Sequence, residues 1–309
     1  MRVTLIQNPK SGRGKLKPRE LERLLRDAGH KVLYHSCKER GWKDVLREPT
    51  DLVAVAGGDG TVGKVARRLA GRAVPLAVLP SGTANNIART LGQLEQPFKR
   101  LVRGWKNPRL IKVDVGVAQG PWGERYFVEG LGLGVFATLL TKPASPDIKK
   151  KKKKPVEHGL SRLQDIARRA KPVEVSALLD GRDVSGEYLM LEAVSLPYIG
   201  PNLHLAPDIK VGDGHFSLVA VTKAERSRLV EYLENWKEDR EDIGFLPSLR
   251  GRRLQIEWTG FPLHVDDKLL PDHRAKAKEM AGPVEARIGC CNVEFLIPGD
   301  PKAKGTPRA

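Results

Sequence analysis

The sequence predicts an α/β plus β protein: a doubly wound, parallel-sheet domain followed by a second, mostly antiparallel, β-sandwich-like domain. Three observations carry this. The first third alternates apolar strand-like runs with helical ones. Three of those strands end in polar glycine loops. After about Asn107 short strands take over, punctuated by turns such as Asp180-Gly181 and Asp213-Gly214. A length of 309 residues suits two domains at roughly 150 residues each.

The elements follow in order. Val3–Gln7 is a short apolar strand. Pro18–Ala28 carries Leu21, Leu24 and Leu25 at helical spacing, and Gly29 stops it. His30–Ser36 reads as a strand and Trp42–Arg47 as a short helix. Leu52–Ala56 is apolar throughout, as in a parallel strand buried on both faces. Thr61–Leu69 sets Val62, Val65, Ala66 and Leu69 on one helical face. Pro75–Leu79 is the next strand and Ala84–Leu91 the next helix. These elements make up a domain over 1–109.

Beyond it, Leu110–Val117, Tyr126–Gly130, Val173–Leu179, Tyr188–Val194, Phe216–Val221, Leu254–Trp258 and Pro262–Val265 read as strands. Helices are expected over His158–Ala170 and Glu225–Lys237. They form a second domain over 110–291. Asn292–Pro298 is a last apolar strand, and Gly299–Ala309, rich in Pro, Lys and Gly, reads as a disordered tail. No run of about 20 apolar residues could span a membrane as a helix.

The chemistry concentrates in the loops. In Gly57-Gly58-Asp59-Gly60-Thr61, glycines let the backbone approach a phosphate, and the following helix N-terminus favours the anion. Asp59 can hold Mg²⁺ or orient a hydroxyl. Asn8-Pro9-Lys10-Ser11-Gly12-Arg13-Gly14-Lys15 offers backbone donors, a hydroxyl and three cations, without Walker spacing. Ser81-Gly82-Thr83-Ala84-Asn85-Asn86 is the third loop, where Thr83 can meet a phosphate or cap a helix. Candidate nucleotide contacts are therefore Asn8, Ser11, Gly12, Lys15, Gly57 through Thr61, Ser81, Gly82, Thr83 and Asn85.

Lys+Arg 54 against Asp+Glu 37 leaves a net charge of +17. That surface attracts polyanions such as nucleic acid, anionic membrane or phosphorylated ligands. Aromatics are only 6% and do not interleave with basic residues, so no platform for stacking bases is expected. Cys37, Cys290 and Cys291 read as buried or partly buried reduced thiols. Thiols kept reduced imply a reducing compartment, so a cytoplasmic location is expected; the first residues also lack the zones of a signal peptide.

Together the loops from Asn8, Gly57 and Ser81 resemble, in order and spacing, the diacylglycerol kinase catalytic family of lipid kinases. Gly57–Thr61 alone would also suit NAD kinases. The resemblance continues through Gly200-Pro201-Asn202-Leu203, Ala206-Pro207-Asp208 and Gly212-Asp213-Gly214, over roughly 1–298. It implies a nucleotide-binding α/β domain, a β-rich lipid-acceptor domain with a cleft between them, and a final strand, 292–298, returning to the first. It implies ATP and Mg²⁺ as cofactors, with Val62, Gly63 and Ser36 added to the nucleotide contacts. A second divalent ion is implied at the Asp213 carboxylate and the backbone carbonyls of Lys210 and His215; without the resemblance this is an ion-free Asp-Gly turn.

The family also carries an Asp-Gly-Glu whose carboxylates accept the substrate proton. Here the stretch is Asp266-Asp267-Lys268, so the Glu is replaced by Lys268, and Asp266 or Asp267 must substitute. The implied reaction transfers the γ-phosphoryl group of Mg-ATP to a hydroxyl of a diacylglycerol-like lipid, in phospholipid metabolism. The run Lys149–Lys154 is read as a tether to the anionic inner face of the membrane or, equally, as a solvated loop. Nucleic acid is not an expected partner, and the oligomeric state, a dimer included, stays open. A kinase of a soluble substrate, like NAD kinase, would explain Gly57–Thr61 but neither flanking loop. A degenerate nucleotide- or polyanion-binding protein would explain Lys268 but not three intact loops.

Overall fold

The computed structural model describes residues 1–14, 17–141, 155–238, 244–271 and 281–299. The chain forms two compact units, one of Met1–Val113 and Asn292–Ala309, the other of Asp114–Cys291.

The first unit contains β1 (Arg2–Gln7), α1 (Pro18–Asp27), β2 (Lys31–Ser36), β3 (Leu52–Gly57), α2 (Asp59–Leu69), β4 (Leu76–Pro80), α3 (Asn86–Thr90) and α4 (Phe98–Gly104). The strands pair in the order β4-β3-β1-β2, all parallel. The apolar run Leu52–Ala56 of β3 is explained by cover on both faces. Alternate residues Leu5, Ala54 and Leu79 pack on Leu21 and Leu25 of α1 and on Trp105 after α4. Pro18 begins α1 where its missing N–H costs nothing, and Gly29, at φ 85°, ends it. The expected helix at Trp42–Arg47 is a single 3-10 turn, Asp44–Arg47.

The second unit contains β5 (Arg109–Gly120, entering from the first unit), β6 (Gly123–Phe127), β7 (Gly130–Gly134), α5 (Val135–Thr141), α6 (Pro155–Arg169), β8 (Val173–Leu179), β9 (Arg182–Asp183) and β10 (Gly186–Val194). It continues with β11 (Tyr198–Ile199), β12 (Leu203–His204), β13 (Phe216–Thr222), α7 (Arg226–Lys237), β14 (Ser248–Gly251), β15 (Arg253–Trp258), β16 (Leu263–Val265), β17 (Lys268–Leu270) and the first part of β18 (Gly282–Ile297). Its strand pairs are antiparallel. Alternation along β10 and β13 builds two cores. Leu191, Ala193 and Leu218 face a core shared with Phe127, Ile256 and Trp258. Met190, Val194, Val219 and Val221 face α5, α6 and α7. The sandwich-like expectation thus gains a helical layer on one sheet face. The last residues of β18 return to the first unit, where Phe295 pairs with Leu76 in parallel register.

Two boundaries differ from expectation for physical reasons. The strand expected over Tyr126–Gly130 is broken at Val128 and Glu129, whose N–H groups bond to a side chain instead of a neighbouring strand. Cys290 is exposed, not partly buried, because its neighbour Cys291 turns inward and gives its thiol to the Val115 carbonyl at 3.3 Å. Of the expected tail, only Gly299 is among the described residues, and its N–H bonds to the Gly104 carbonyl at 3.1 Å.

Candidate functional site

The three glycine loops meet at the carboxyl ends of β1, β3 and β4. Gly58 and Gly82 touch through their α-carbons: a Cβ on Gly58 would lie 2.8 Å from Gly82 Cα. A Cβ on Gly82 would run into Gly58 and lie 2.7 Å from Asn85 Oδ1. Neither residue can carry a side chain here without parting the loops. Gly12 approaches the same loop, where a Cβ would lie 3.3 Å from the Ser81 carbonyl oxygen, at φ 59°. The Ser11 hydroxyl donates to that oxygen at 2.7 Å, and Asn8 Nδ2 donates to Thr61 Oγ1 at 3.4 Å.

Side-chain bonds fix the third loop. Asn85, in the left-handed region at φ 56°, accepts the Gly82 N–H at 2.8 Å and donates to the Gly82 carbonyl at 3.1 Å. Half-buried Asp59 opens α2 and accepts the Ile87 N–H, in the first turn of α3, at 2.9 Å. Burial pushes its carboxyl up, against the pull of the Ile87 and Asn86 backbone N–H groups. Asp59 therefore ties the second loop to the third. No side chain caps α2, whose N-cap is Gly58, so its N-terminal end offers backbone donors and a partial positive charge to an anion.

The remaining candidates sort by exposure. Thr83 is exposed at the tip of the third loop, and Ser81 is buried beneath it. Gly60 is half-buried, whereas Val62 and Gly63 are buried within α2. Ser36 is buried at the end of β2, where its hydroxyl accepts the Lys38 N–H at 3.1 Å. Lys15 and Lys149–Lys154 lie outside the described residues.

In the second unit, Asp266 and Asp267 form the two-residue turn between β16 and β17. Asp266 stands at φ 48°. Its carboxylate accepts the N–H groups of Val128 at 3.1 Å, Glu129 at 2.9 Å and Gly130 at 3.2 Å. Asp267, by contrast, is on the surface, 2.9 Å from Lys268 Nζ. Behind the turn, His264 Nε2 lies 2.9 Å from Glu192 Oε2, and His264 Nδ1 lies 3.0 Å from the Asp266 carbonyl. Glu192 is fully buried and His264 nearly so. Both pair across β7 with Gly132, the one residue that leaves room for them to meet. Burial pushes the Glu192 carboxyl up, opposed by His264. Burial pulls the His264 imidazole down, but Glu192 and Asp266 together outweigh it and hold the imidazole above its ordinary value. Sequence reasoning missed this pair; the only signal was a glycine-rich run, Gly130-Leu131-Gly132-Leu133-Gly134, where a strand would ordinarily avoid glycine.

At the 210–215 turn, Asp213 Oδ1 accepts the His215 N–H at 3.0 Å, and Asp213 Oδ2 lies 2.7 Å from Arg250 Nη2. The Lys210 carbonyl accepts the Asp213 N–H at 3.3 Å. Asp114 accepts the Gly214 N–H at 2.8 Å. Among the described residues, no group of three or more His, Cys, Asp or Glu side chains is arranged to hold a metal ion.

Residues 2–118 match the model of the diacylglycerol kinase catalytic domain. The diacylglycerol kinase of Bacillus subtilis strain 168 is 28% identical over 245 residues, covering 74% of this chain and 76% of that protein. The diacylglycerol kinase of Staphylococcus carnosus strain TM300 is 27% identical over 237 residues, covering 74% of this chain and 75% of its own. In fold, the chain is similar to a solved diacylglycerol kinase structure from Bacillus anthracis str. Sterne, with a TM-score of 0.67, 21% identity and 93% of each chain covered.

Proposed function

We propose, for a chain whose residues 2–118 match the model of the diacylglycerol kinase catalytic domain, that it is an ATP-dependent lipid kinase acting on a hydroxyl of a diacylglycerol-like lipid. The observation that carries this is the close approach of Gly58, Gly82 and Gly12. Three loops that meet through glycine backbone, at one edge of a parallel sheet and at an uncapped helix N-terminus, suit a polyphosphate.

The roles follow from which groups are already engaged. The loops would hold the phosphates through backbone N–H groups, with Ser11 and Thr83 beside them. Asp59, whose carboxylate holds the start of α3, acts as the brace between loops. Bound Mg²⁺ would neutralise charge on the phosphates, and the Ser11 and Thr83 hydroxyls and the loop carbonyls are oxygen donors of the kind that would suit it. Phosphoryl transfer depends chiefly on positioning and charge neutralisation, so one modest base suffices. Asp266 is committed to three backbone N–H groups. We therefore assign the acceptor proton to Asp267, the surface carboxylate of the same turn, with Asp266 fixing the turn's conformation. Lys268, paired with Asp267, stands where the family has its Glu.

No helix among the described residues is long and apolar enough to cross a membrane. We place the enzyme at the inner face of the membrane, reached through Lys149–Lys154, since each Lys near an anionic surface contributes about 1 kcal/mol. The test is phosphoryl transfer from labelled ATP to diacylglycerol by the purified chain. A labelled lipid supports the reading; bound ATP with no labelled lipid refutes it.

A further inference from the structure

The turn that the family resemblance assigns to a divalent ion already holds a cation of its own. Arg250 lies on β14, directly across from Ser217 of β13, the strand into which the 210–215 turn leads. From there its Nη2 reaches Asp213 Oδ2 at 2.7 Å and stands 3.0 Å from His215 Nδ1. The other Asp213 oxygen accepts the His215 N–H at 3.0 Å. His215 Nδ1 also lies 2.9 Å from the Asp213 carbonyl. The Lys210 carbonyl accepts the Asp213 N–H, and Asp114 accepts the Gly214 N–H.

The Asp213 carboxylate and the Lys210 carbonyl, two of the three groups implied to bind the ion, thus already have protein partners. A hard divalent cation gathers six or more oxygens, some of them waters, around at least one carboxylate that is free to face it. The site has one carboxylate at hand, and a guanidinium is already bonded to it. Asp114, the next carboxylate, turns its oxygen to a backbone N–H. Arg252 adds a second positive charge, with Nη2 3.6 Å from the position of a Cβ on Gly214. An ion entering would meet two guanidinium groups and would have to displace one of them.

We propose that the Arg250 guanidinium takes the place of the divalent ion at the Asp213–Gly214 turn, so that this anchor is closed by a fixed side chain and is independent of metal. A guanidinium supplies directional N–H donors where an ion would gather oxygens, and it ties the turn to β14 as well as to itself. The inference stands apart from the kinase reading, because it concerns only how the second unit is held together.

The experiment is thermal unfolding of the full, nucleotide-free chain in chelator, in millimolar Mg²⁺ and in millimolar Ca²⁺. Wild type, Arg250→Ala, Asp213→Asn and the double variant are compared. The expected result is an ion-insensitive wild type. Arg250→Ala should unfold about 2 °C lower in chelator. Mg²⁺ or Ca²⁺ should restore part of that difference, and only while Asp213 is present. Calorimetric titration with Mn²⁺ should show an Asp213-dependent site in Arg250→Ala and none in wild type at this turn. A wild type stabilised by ions, with the effect lost in Asp213→Asn, would overturn the proposal. So would an Arg250→Ala variant that unfolds at the wild-type temperature in chelator.

Discussion

Gly58 and Gly82 meet α-carbon to α-carbon, and this contact joins the loop after β3 to the loop after β4. One methyl group at either position forces the loops apart. We expect Gly82→Ala to weaken ATP binding at least about tenfold, equivalent to about 1.4 kcal/mol. Gly244→Ala, where a Cβ meets nothing within 4 Å and φ is unremarkable, should leave it unchanged. Calorimetric titration with ATP measures both; equal affinities would remove the close approach from the account.

The Asp266–Asp267 turn separates structure from chemistry. Asp266→Ala leaves three N–H groups without their acceptor, two of them on buried residues, and should cost about 3 kcal/mol of stability in urea unfolding. Asp267→Asn weakens one exposed contact, with Lys268, and should change stability by less than about 0.5 kcal/mol. Its kcat with lipid should fall about a hundredfold, the scale of one lost general base. If Asp267→Asn keeps full activity, the proton goes elsewhere.

This turn also marks how far the sequence could be read. The apolar strand Leu52–Ala56 and its glycine loop were legible because burial on both faces leaves an unbroken apolar run and a phosphate loop needs glycines. The strand Gly130–Gly134 was not. Its glycines argue against a strand, yet Gly132 is required because Glu192 and His264 bond across it. Nor does the spacing from Val128 to Asp266, 138 residues, reveal that the first gives its N–H to the second. Local chemistry is written locally; a bond between distant segments exists only once the fold has formed.

The Glu192–His264 pair gives a pH signature. Both groups are held above their ordinary values, Glu192 above 4.5 and His264 above 6.5, so the folded state binds more protons than the unfolded one. By linkage, the pair's contribution is greatest at low pH and falls as pH rises from 4.5 through the folded-state values. The stability difference between wild type and a Glu192→Gln/His264→Gln variant should therefore shrink as pH rises above 6.5, the ordinary imidazole value from which His264 is shifted up. Urea unfolding across that range measures it, and a difference that grows with pH would contradict the assignment.

Replacing Lys149–Lys154 with glutamine should reduce cosedimentation with anionic vesicles. At about 1 kcal/mol per Lys, binding should also weaken steeply with salt. Binding that ignores both the substitution and the salt would place the membrane contact elsewhere.

The most direct test of the central claim is transfer of the labelled γ-phosphoryl group of ATP to diacylglycerol in mixed vesicles by the purified chain, with NAD as a parallel acceptor. The account predicts labelled lipid, no labelled NAD, and a large loss of product in Gly82→Ala. Labelled NAD without labelled lipid, or lipid labelled equally well by Gly82→Ala, would contradict it.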